Sequence, residues 1–396
     1  MTAPGLVSDY EFDLPESLIA QHPVPRGTSR LLVVRRAEQR WEERSIRDLP
    51  SLLAPGDLMV ANDTRVFPAR LLGRRDPSGG AVECLLLDQV GPDEWQALVH
   101  PGQKLKPGAR MIFENADRAP GVQLFGEILA RQFHGRRIVR LWPAKGAMSP
   151  IESRGPLAPA PGSLAQGGGP LAPGGGPLPQ GGGPANLVSE ISEIVDAIGH
   201  VPLPPYIHRD DAPEDRDRYQ TVFARARGSI AAPTAGLHFD DALLASLAAA
   251  GIGWATVTLH VGYGTFKPVR VERVADHQVD AEAFTISAAT ADAIARTRAA
   301  GRRVVAVGTT TTRALETASA ATGEVVSGGG ATSLFISPGH EFRAVDALLT
   351  NFHLPKSSLL MLVAAFAGRD LTLAAYRDAV RRGFRFYSYG DAMLLT

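Results

Sequence analysis

The chain has 396 residues, 44% hydrophobic and 21% charged, a globular balance that excludes wholesale disorder and a coiled coil and leaves room for two or three domains. Its 41 Lys and Arg cancel its 41 Asp and Glu, which argues against a protein that coats nucleic acid through bulk charge and leaves only local basic patches. A single cysteine, Cys84, allows neither an intrachain disulfide nor a cysteine zinc cage, and no run of about 18 apolar residues reads as a membrane span. The opening MTAPGLVSDYEFDLPE lacks the basic-then-apolar layout of a signal peptide, so a soluble, cytoplasmic protein is expected; no obligate protein partner is evident and a monomer is expected.

In chain order, LPESLIAQ and SRLLVV read as a helix and a strand. From about Ala69 to Pro143, short apolar runs alternate with turn signals (AVECLLLDQV, EWQALVHPG, ARMIFEN, GVQLFGEILARQF, RRIVRLWP), the pattern of an antiparallel barrel or sandwich. Cys84 falls within one of these strands as a small buried thiol. Between Gly155 and Ala185 stand eleven glycines and eight prolines, with GGGP recurring at Gly167, Gly174 and Gly181. Such a tract cannot build a core and reads as a disordered linker.

Beyond it the pattern turns to mixed α/β. Leu187, Ile191, Ile194 and Ile198 keep helical spacing; Asp240 or Asp241 caps DALLASLAAA, which Gly251 ends. WATVTLHVG alternates strictly, with Val257, Leu259 and Val261 opposite Thr256, Thr258 and His260. A helix from about Ser287 to Ala300, a buried strand Arg303 to Val307, the turn Gly308 with four threonines leading into a helix, a strand SLFIS and a helix around Leu373 to Arg382 complete the set. The fold class expected is α/β: a mixed sheet with packed helices over 1–68 and 186–396, an inserted antiparallel β-barrel over 69–150, and a linker over 151–185.

No two of the ten histidines lie within seven residues, so no local metal motif exists and no metal is expected. The one GxG after a strand, Gly262-Tyr263-Gly264, runs into Pro268 rather than a helix, and no P-loop occurs. The Gly308 turn differs: a strand, GTTTT, then a helix carrying Arg313 and Glu316, whose first amides suit a carboxylate or a hydroxyl-rich ligand. A plain threonine-capped turn is the equal alternative.

Four segments are dense in polar residues between apolar ones: APTAGLHF, LHVGYGTFKPV, TNFHLPKSSLL and FYSYGDAML. Together with LPESLIAQHP, SRLLVV, NDTRVFPARL, VPLPPYIHR, DRYQTVFA and VAVGTTTTRALE, in this order, they closely resemble the S-adenosylmethionine:tRNA ribosyltransferase-isomerases of queuosine biosynthesis. The resemblance spans nearly the whole chain outside the Gly/Pro tract. Two positions depart from that family's usual pattern, Asp280 (histidine nearby) and His340 (tyrosine). The resemblance implies an α/β domain carrying an inserted barrel. It also implies transfer of the ribosyl part of S-adenosylmethionine to 7-aminomethyl-7-deazaguanine in a tRNA anticodon. Adenine and methionine leave and the sugar rearranges to give epoxyqueuosine; S-adenosylmethionine is consumed as a co-substrate and no recycled cofactor is implied. A non-catalytic RNA-binding relative, or a same-fold enzyme using S-adenosylmethionine on a base outside tRNA, are the alternatives.

That chemistry needs a base for a proton beside the sulfonium and an acid for departing adenine. His238, His260 and His353, with His277 behind them, are the base candidates, and Asp391 and Glu316 the candidate acids or ribose anchors. Tyr263, Phe352, Tyr387 and Tyr389 suit a sulfonium, and Thr309, Thr310 and Arg313 its methionine carboxylate. Asn62, Asp63, Arg65, Arg136, Arg137, His277 and Lys356 are candidates for contact with the tRNA or its base. Arg65, Arg70, Arg74 and Arg75, then Arg131, Arg136, Arg137 and Arg140, form acid-free basic groups flanking or within the barrel, which makes the barrel a candidate RNA-facing module.

Overall fold

The computed structural model describes residues 5–144 and 184–396, so the expected linker lies outside the described residues except for its last two positions. The chain divides into two compact units, Met1–Pro68 with Val201–Thr396, and Ala69–His200.

The first unit opens with β1 (Arg30–Arg35), β2 (Arg40–Ser45), β3 (Leu58–Asn62) and β4 (Thr64–Val66). In the second unit follow β5 (Arg70–Asp76), β6 (Ala81–Gln89), β7 (Glu94–His100), β8 (Arg110–Glu114), β9 (Gln123–Arg131) and β10 (Arg136–Pro143). The chain returns to the first with β11 (Ala226–Ser229), β12 (Gly253–Leu259), β13 (Glu282–Ile286), β14 (Val304–Val307), β15 (Gly328–Thr332), β16 (Ala347–Asn351) and β17 (Ala392–Leu395).

Nine strands of the first unit form one mixed sheet in the order β15-β13-β12-β3-β14-β16-β17-β1-β2. At its centre β12, β3, β14 and β16 run parallel, and β3, β14 and β16 are buried along their whole length, as strands covered on both faces must be. Alternate residues feed two cores. Leu32, Val60, Ala306 and Leu348 join Leu360, Phe366 and Tyr376 of the helices Ser358–Ala367 and Arg369–Arg381. Leu31, Met59, Val305 and Leu349 join Leu243 and Leu247 of the helix Asp241–Ala249. Asp240 caps that last helix, its Oδ1 accepting from the Leu243 amide at 2.8 Å. Two expectations fail locally. LPESLIAQ forms only the single turn Glu16–Leu18, and SLFIS is not a strand; the edge strand is the preceding GGGAT of β15, whose glycines carry no strand signal.

The second unit is a closed antiparallel barrel, β10-β7-β6-β5-β8-β9. Inward residues alternate along each strand, and Leu71, Cys84, Ala97, Phe113, Leu124 and Val139 are fully buried. Burial pushes the Cys84 thiol up to about 12, which leaves it a packing residue. The helix Pro184–Ile198, expected with the α/β body, belongs instead to this unit: Ile191, Val195 and Ile198 are buried and the helix packs on β9 and β10. Its apolar stripe is what the sequence pattern showed; which surface it covers is a tertiary matter.

Candidate functional site

Because β12, β3, β14 and β16 are parallel, their carboxyl ends meet at one edge of the sheet, where ligands of α/β folds bind. A cleft opens there, lined by Val261 after β12, Gly308–Thr310 after β14 and Thr350–His353 at the end of β16. Gly308 turns the chain with φ of 91°, a conformation that penalises any side chain, and starts the helix Thr309–Ser319 in the cleft wall. The first amides of a helix have no intrahelical acceptor, so this wall offers N–H donors and the positive end of the helix dipole beside the Thr309 and Thr310 hydroxyls.

Much of the remaining lining is aromatic. Tyr206, Tyr219, Phe266, Phe352 and Tyr387 contribute to it, with the Tyr206 and Tyr387 ring centroids 3.7 Å apart. Tyr387 has φ of 73°, costly for a residue with a side chain, and is held there from both sides: its amide donates to the Phe352 carbonyl at 3.0 Å and its carbonyl accepts from Asn351 Nδ2 at 2.9 Å. The Tyr206 and Ser388 hydroxyls pair at 2.5 Å, and burial pushes the Tyr206 phenol well up. Asn351 and Tyr219 add polar groups to this lining beside Ser388. No carboxylate of the described residues lines this cleft, and none of the described His, Cys, Asp and Glu residues gather into a metal-binding group.

A family model described as queuosine biosynthesis protein matches residues 7–395. The chain belongs to that family. It is 44% identical to the S-adenosylmethionine:tRNA ribosyltransferase-isomerase of Symbiobacterium thermophilum, over 98% of this chain and 99% of that relative. It is 46% identical to the enzyme of the same name from Anaeromyxobacter, again over 98% of this chain and 99% of the relative. The crystal structure of an S-adenosylmethionine tRNA ribosyltransferase from Thermotoga maritima matches with 33% identity and a TM-score of 0.50, covering 98% of this chain and all of that one.

Of the three leading histidines, His353 alone lines the cleft of this family member. Its Nε2 pairs with Thr350 Oγ1 at 2.9 Å, leaving Nδ1 uncommitted, and burial pushes its pKa down to about 3. His238 is buried outside the lining with Nδ1 on Ser29 Oγ at 2.8 Å, and burial takes it to about 4, partly opposed by a side-chain hydrogen bond with Asn351. His260, half-buried, pairs Nδ1 with Thr64 Oγ1 at 2.9 Å; burial lowers its pKa and the Asp63 charge partly restores it.

Two buried neutral histidines make the fold acid-labile. In the unfolded chain they bind protons below about pH 6.5, whereas the folded chain resists protonation down to about 4 and 3. Their contribution is therefore complete above pH 6.5 and lost as pH falls, by about 1.4 kcal/mol per pH unit for each histidine. Asp57 and Asp215, held below the usual carboxylate value, act only under about pH 4, and Asp391, pushed up by burial, acts in the opposite direction. Urea midpoints measured from pH 7.5 to 4.5 should fall steadily, and His238→Gln should flatten the curve; a flat wild-type curve contradicts this account.

The structure removes several other candidates from the cleft. Arg313 ion-pairs with Glu282 and donates to the Leu334 carbonyl at 2.9 Å, so it ties the helix to the sheet edge rather than facing a carboxylate ligand. Glu316 accepts from the amides of Arg343, Ala344 and Val345, with His340 3.4 Å away, and Asp391 accepts from those of Arg30 and Arg385; each carboxylate pins a loop. Tyr389 donates to Asp215 at 2.8 Å. Asn62 joins the ends of β3 and β12 through the Leu259 amide and carbonyl. Asp63 holds Arg225 and Thr258, Lys356 pairs with Glu11, and Asp280 with Lys267 at 2.7 Å. His277 lies edge-on to Phe335, Tyr263 edge-on to Phe266 outside the cleft lining, and Arg65 is exposed. In the barrel, Arg70, Arg74 and Arg140 pair with acids across the strands, and Arg137 is 7% exposed with its guanidinium on backbone carbonyls. Tyr206, Tyr219, Asn351 and Ser388 were not singled out from sequence, although VPLPPYIHR and DRYQTVFA, which hold the two tyrosines, stood among the matching motifs.

Proposed function

We propose that this cleft is where S-adenosylmethionine reacts, with its methionine carboxylate at the start of the helix Thr309–Ser319 and its sulfonium against Tyr206 and Tyr387. The chain transfers and isomerises the ribosyl moiety of S-adenosylmethionine onto 7-aminomethyl-7-deazaguanine in tRNA, forming epoxyqueuosine. The observation that carries the site is the pairing, in one cleft, of a helix start with an aromatic wall that lacks any carboxylate. An anionic group gains from the helix amides, and a sulfonium gains roughly 0.5–2 kcal/mol from a ring face without being held too firmly to react. His353, neutral through the working pH range, is the base for the proton that the sulfonium acidifies. The hydroxyls of Tyr206, Tyr219 and Ser388 are the donors the cleft offers to departing adenine.

The test is incubation of the protein with S-adenosylmethionine and tRNA bearing the aminomethyl base, followed by nucleoside mass spectrometry. Epoxyqueuosine with free adenine and methionine is expected; methyl transfer, or an unchanged nucleoside, rejects the activity. For the site, Thr309→Val with Thr310→Val should raise KM for S-adenosylmethionine about 10- to 100-fold, the worth of a hydrogen bond to a charged group. Binding of tRNA alone should not change. An unaltered KM moves the carboxylate elsewhere.

A further inference from the structure

The barrel carries one exposed aromatic that packing does not explain. Phe133, in the turn Phe133–Gly135 between β9 and β10, is 90% exposed, while the other exposed large hydrophobics, Leu6, Val90, Val222 and Val326, are aliphatic and lie between 41% and 53%. The turn that presents it is braced. The Gln132 amide donates to the Arg136 carbonyl at 2.9 Å, and a chain of side-chain bonds runs from Arg136 Nη1 to Gln96 Oε1 at 2.8 Å and from Gln96 Nε2 to Gln132 Oε1 at 2.7 Å. Buried Arg137 then draws a second loop alongside: its guanidinium donates to the carbonyls of Gly135, in the turn, and Gly102, both at 3.1 Å. Leu105, fully buried, anchors that loop and leaves Lys104 and Lys106 on either side of it exposed.

Charge and shape thus coincide at one end of the barrel. Residues 101–110 and 131–137 contain no acid, and Lys104, Lys106 and Arg131 are exposed without an ion pair among the described residues. Elsewhere on the same barrel Arg70, Arg74 and Arg140 are neutralised by Glu83, Glu114, Asp93 and Glu94. A lone aromatic on loops that carry unpaired cations is a poor protein-docking patch, which needs several hundred Å² of contiguous apolar surface. It is suited to an unpaired base flanked by phosphates.

We propose that this end of the barrel is an RNA-contact surface, in which Phe133 stacks on an unpaired base of the substrate tRNA while Lys104, Lys106 and Arg131 meet its phosphates. The inference rests on the tRNA reading above and adds a second contact region, borne by the barrel itself. Arg137 acts as a positioning residue that holds the two loops together.

The experiment measures tRNA binding to the full chain as a function of salt. Phe133→Ala and Phe133→Leu are both expected to weaken binding roughly 5- to 150-fold, the worth of one base stack, with melting temperature unchanged because the side chain is exposed. Phe133→Trp should bind like wild type, and its indole emission should change when tRNA is added. Lys104→Ala with Lys106→Ala should make the slope of log K against log salt shallower by about 1.5–2. Binding by Phe133→Ala within twofold of wild type overturns the proposal, as does restoration by leucine as complete as by tryptophan, or self-association of the wild type that Phe133→Ala abolishes. If wild type modifies tRNA but the variants match it, the barrel surface alone is wrong. If wild type neither binds nor modifies tRNA, the activity and this surface fall together.

Discussion

His353→Ala is expected to lower kcat of the folded protein by about 10²–10⁴-fold, the usual worth of a general base, while tRNA affinity stays near wild type. The expectation comes from position first: among His238, His260 and His353, only His353 lines the cleft that joins the helix start to the aromatic wall. Its protonation state comes second. Burial holds the pKa at about 3, so the ring is neutral at any working pH and has a lone pair to accept a proton. The base role requires the tautomer with hydrogen on Nε2, with Thr350 Oγ1 accepting and Nδ1 free for the substrate. Thr350→Val removes that acceptor and should lower kcat more than it raises KM. A ring of such low pKa is a weak base, and the chemistry works because the neighbouring sulfonium acidifies the proton to be removed. His238→Ala and His260→Ala act mainly through stability, since Ser29 and Thr64 hold their Nδ1 atoms outside the cleft lining. If all three variants keep turnover within about tenfold, or lose it only by unfolding, the histidine-base hypothesis fails.

What was legible in the sequence follows from the range of each signal. The barrel showed itself through strand-length alternation, and the Gly308 turn through a buried β14 running into a threonine-rich helix start, both written in adjacent residues. Glu316, Arg313 and Asp391 misled because a polar residue between apolar ones looks the same whether it faces substrate or a distant loop. Glu316 is satisfied by amides 27–29 residues further on, and Asp391 by the Arg30 amide 361 residues back. The missed cleft residues are the converse. Asn351 and Ser388 sat within polar segments already singled out, but only the sheet order β14-β16-β17 brings them into one cleft with Thr309. The Lys356 and Asp63 ion pairs, with Glu11 and Arg225, are likewise products of chain crossing rather than of spacing.

Tyr389, read from sequence as a sulfonium contact, leads to the second large effect. Its hydroxyl donates to Asp215, which is 2% exposed and also accepts from both Arg209 nitrogens at 2.6 and 2.8 Å and from the Ala212 amide at 2.8 Å. Burial pushes the Asp215 carboxyl up, but these donors outweigh it and hold it ionised below the usual value. The segment so fastened carries Tyr206 and Tyr219 into the cleft, and Tyr219 also packs edge-on against Tyr389. Asp215→Ala leaves a largely buried guanidinium and a phenol without partners, and is expected to cost about 3–5 kcal/mol of stability. If the whole chain survives, the loosened aromatic wall should raise KM for S-adenosylmethionine with a smaller change in kcat. Replacing the network together, as Arg209→Met, Asp215→Leu and Tyr389→Phe, removes the stranded groups and should recover at least half of the lost stability. Tyr389→Phe alone removes one donor of four and should cost about 1 kcal/mol, with turnover intact. A Tyr389→Phe variant that melts normally but loses turnover would return the hydroxyl to the chemistry, since a phenol serving only Asp215 cannot affect kcat without affecting the fold.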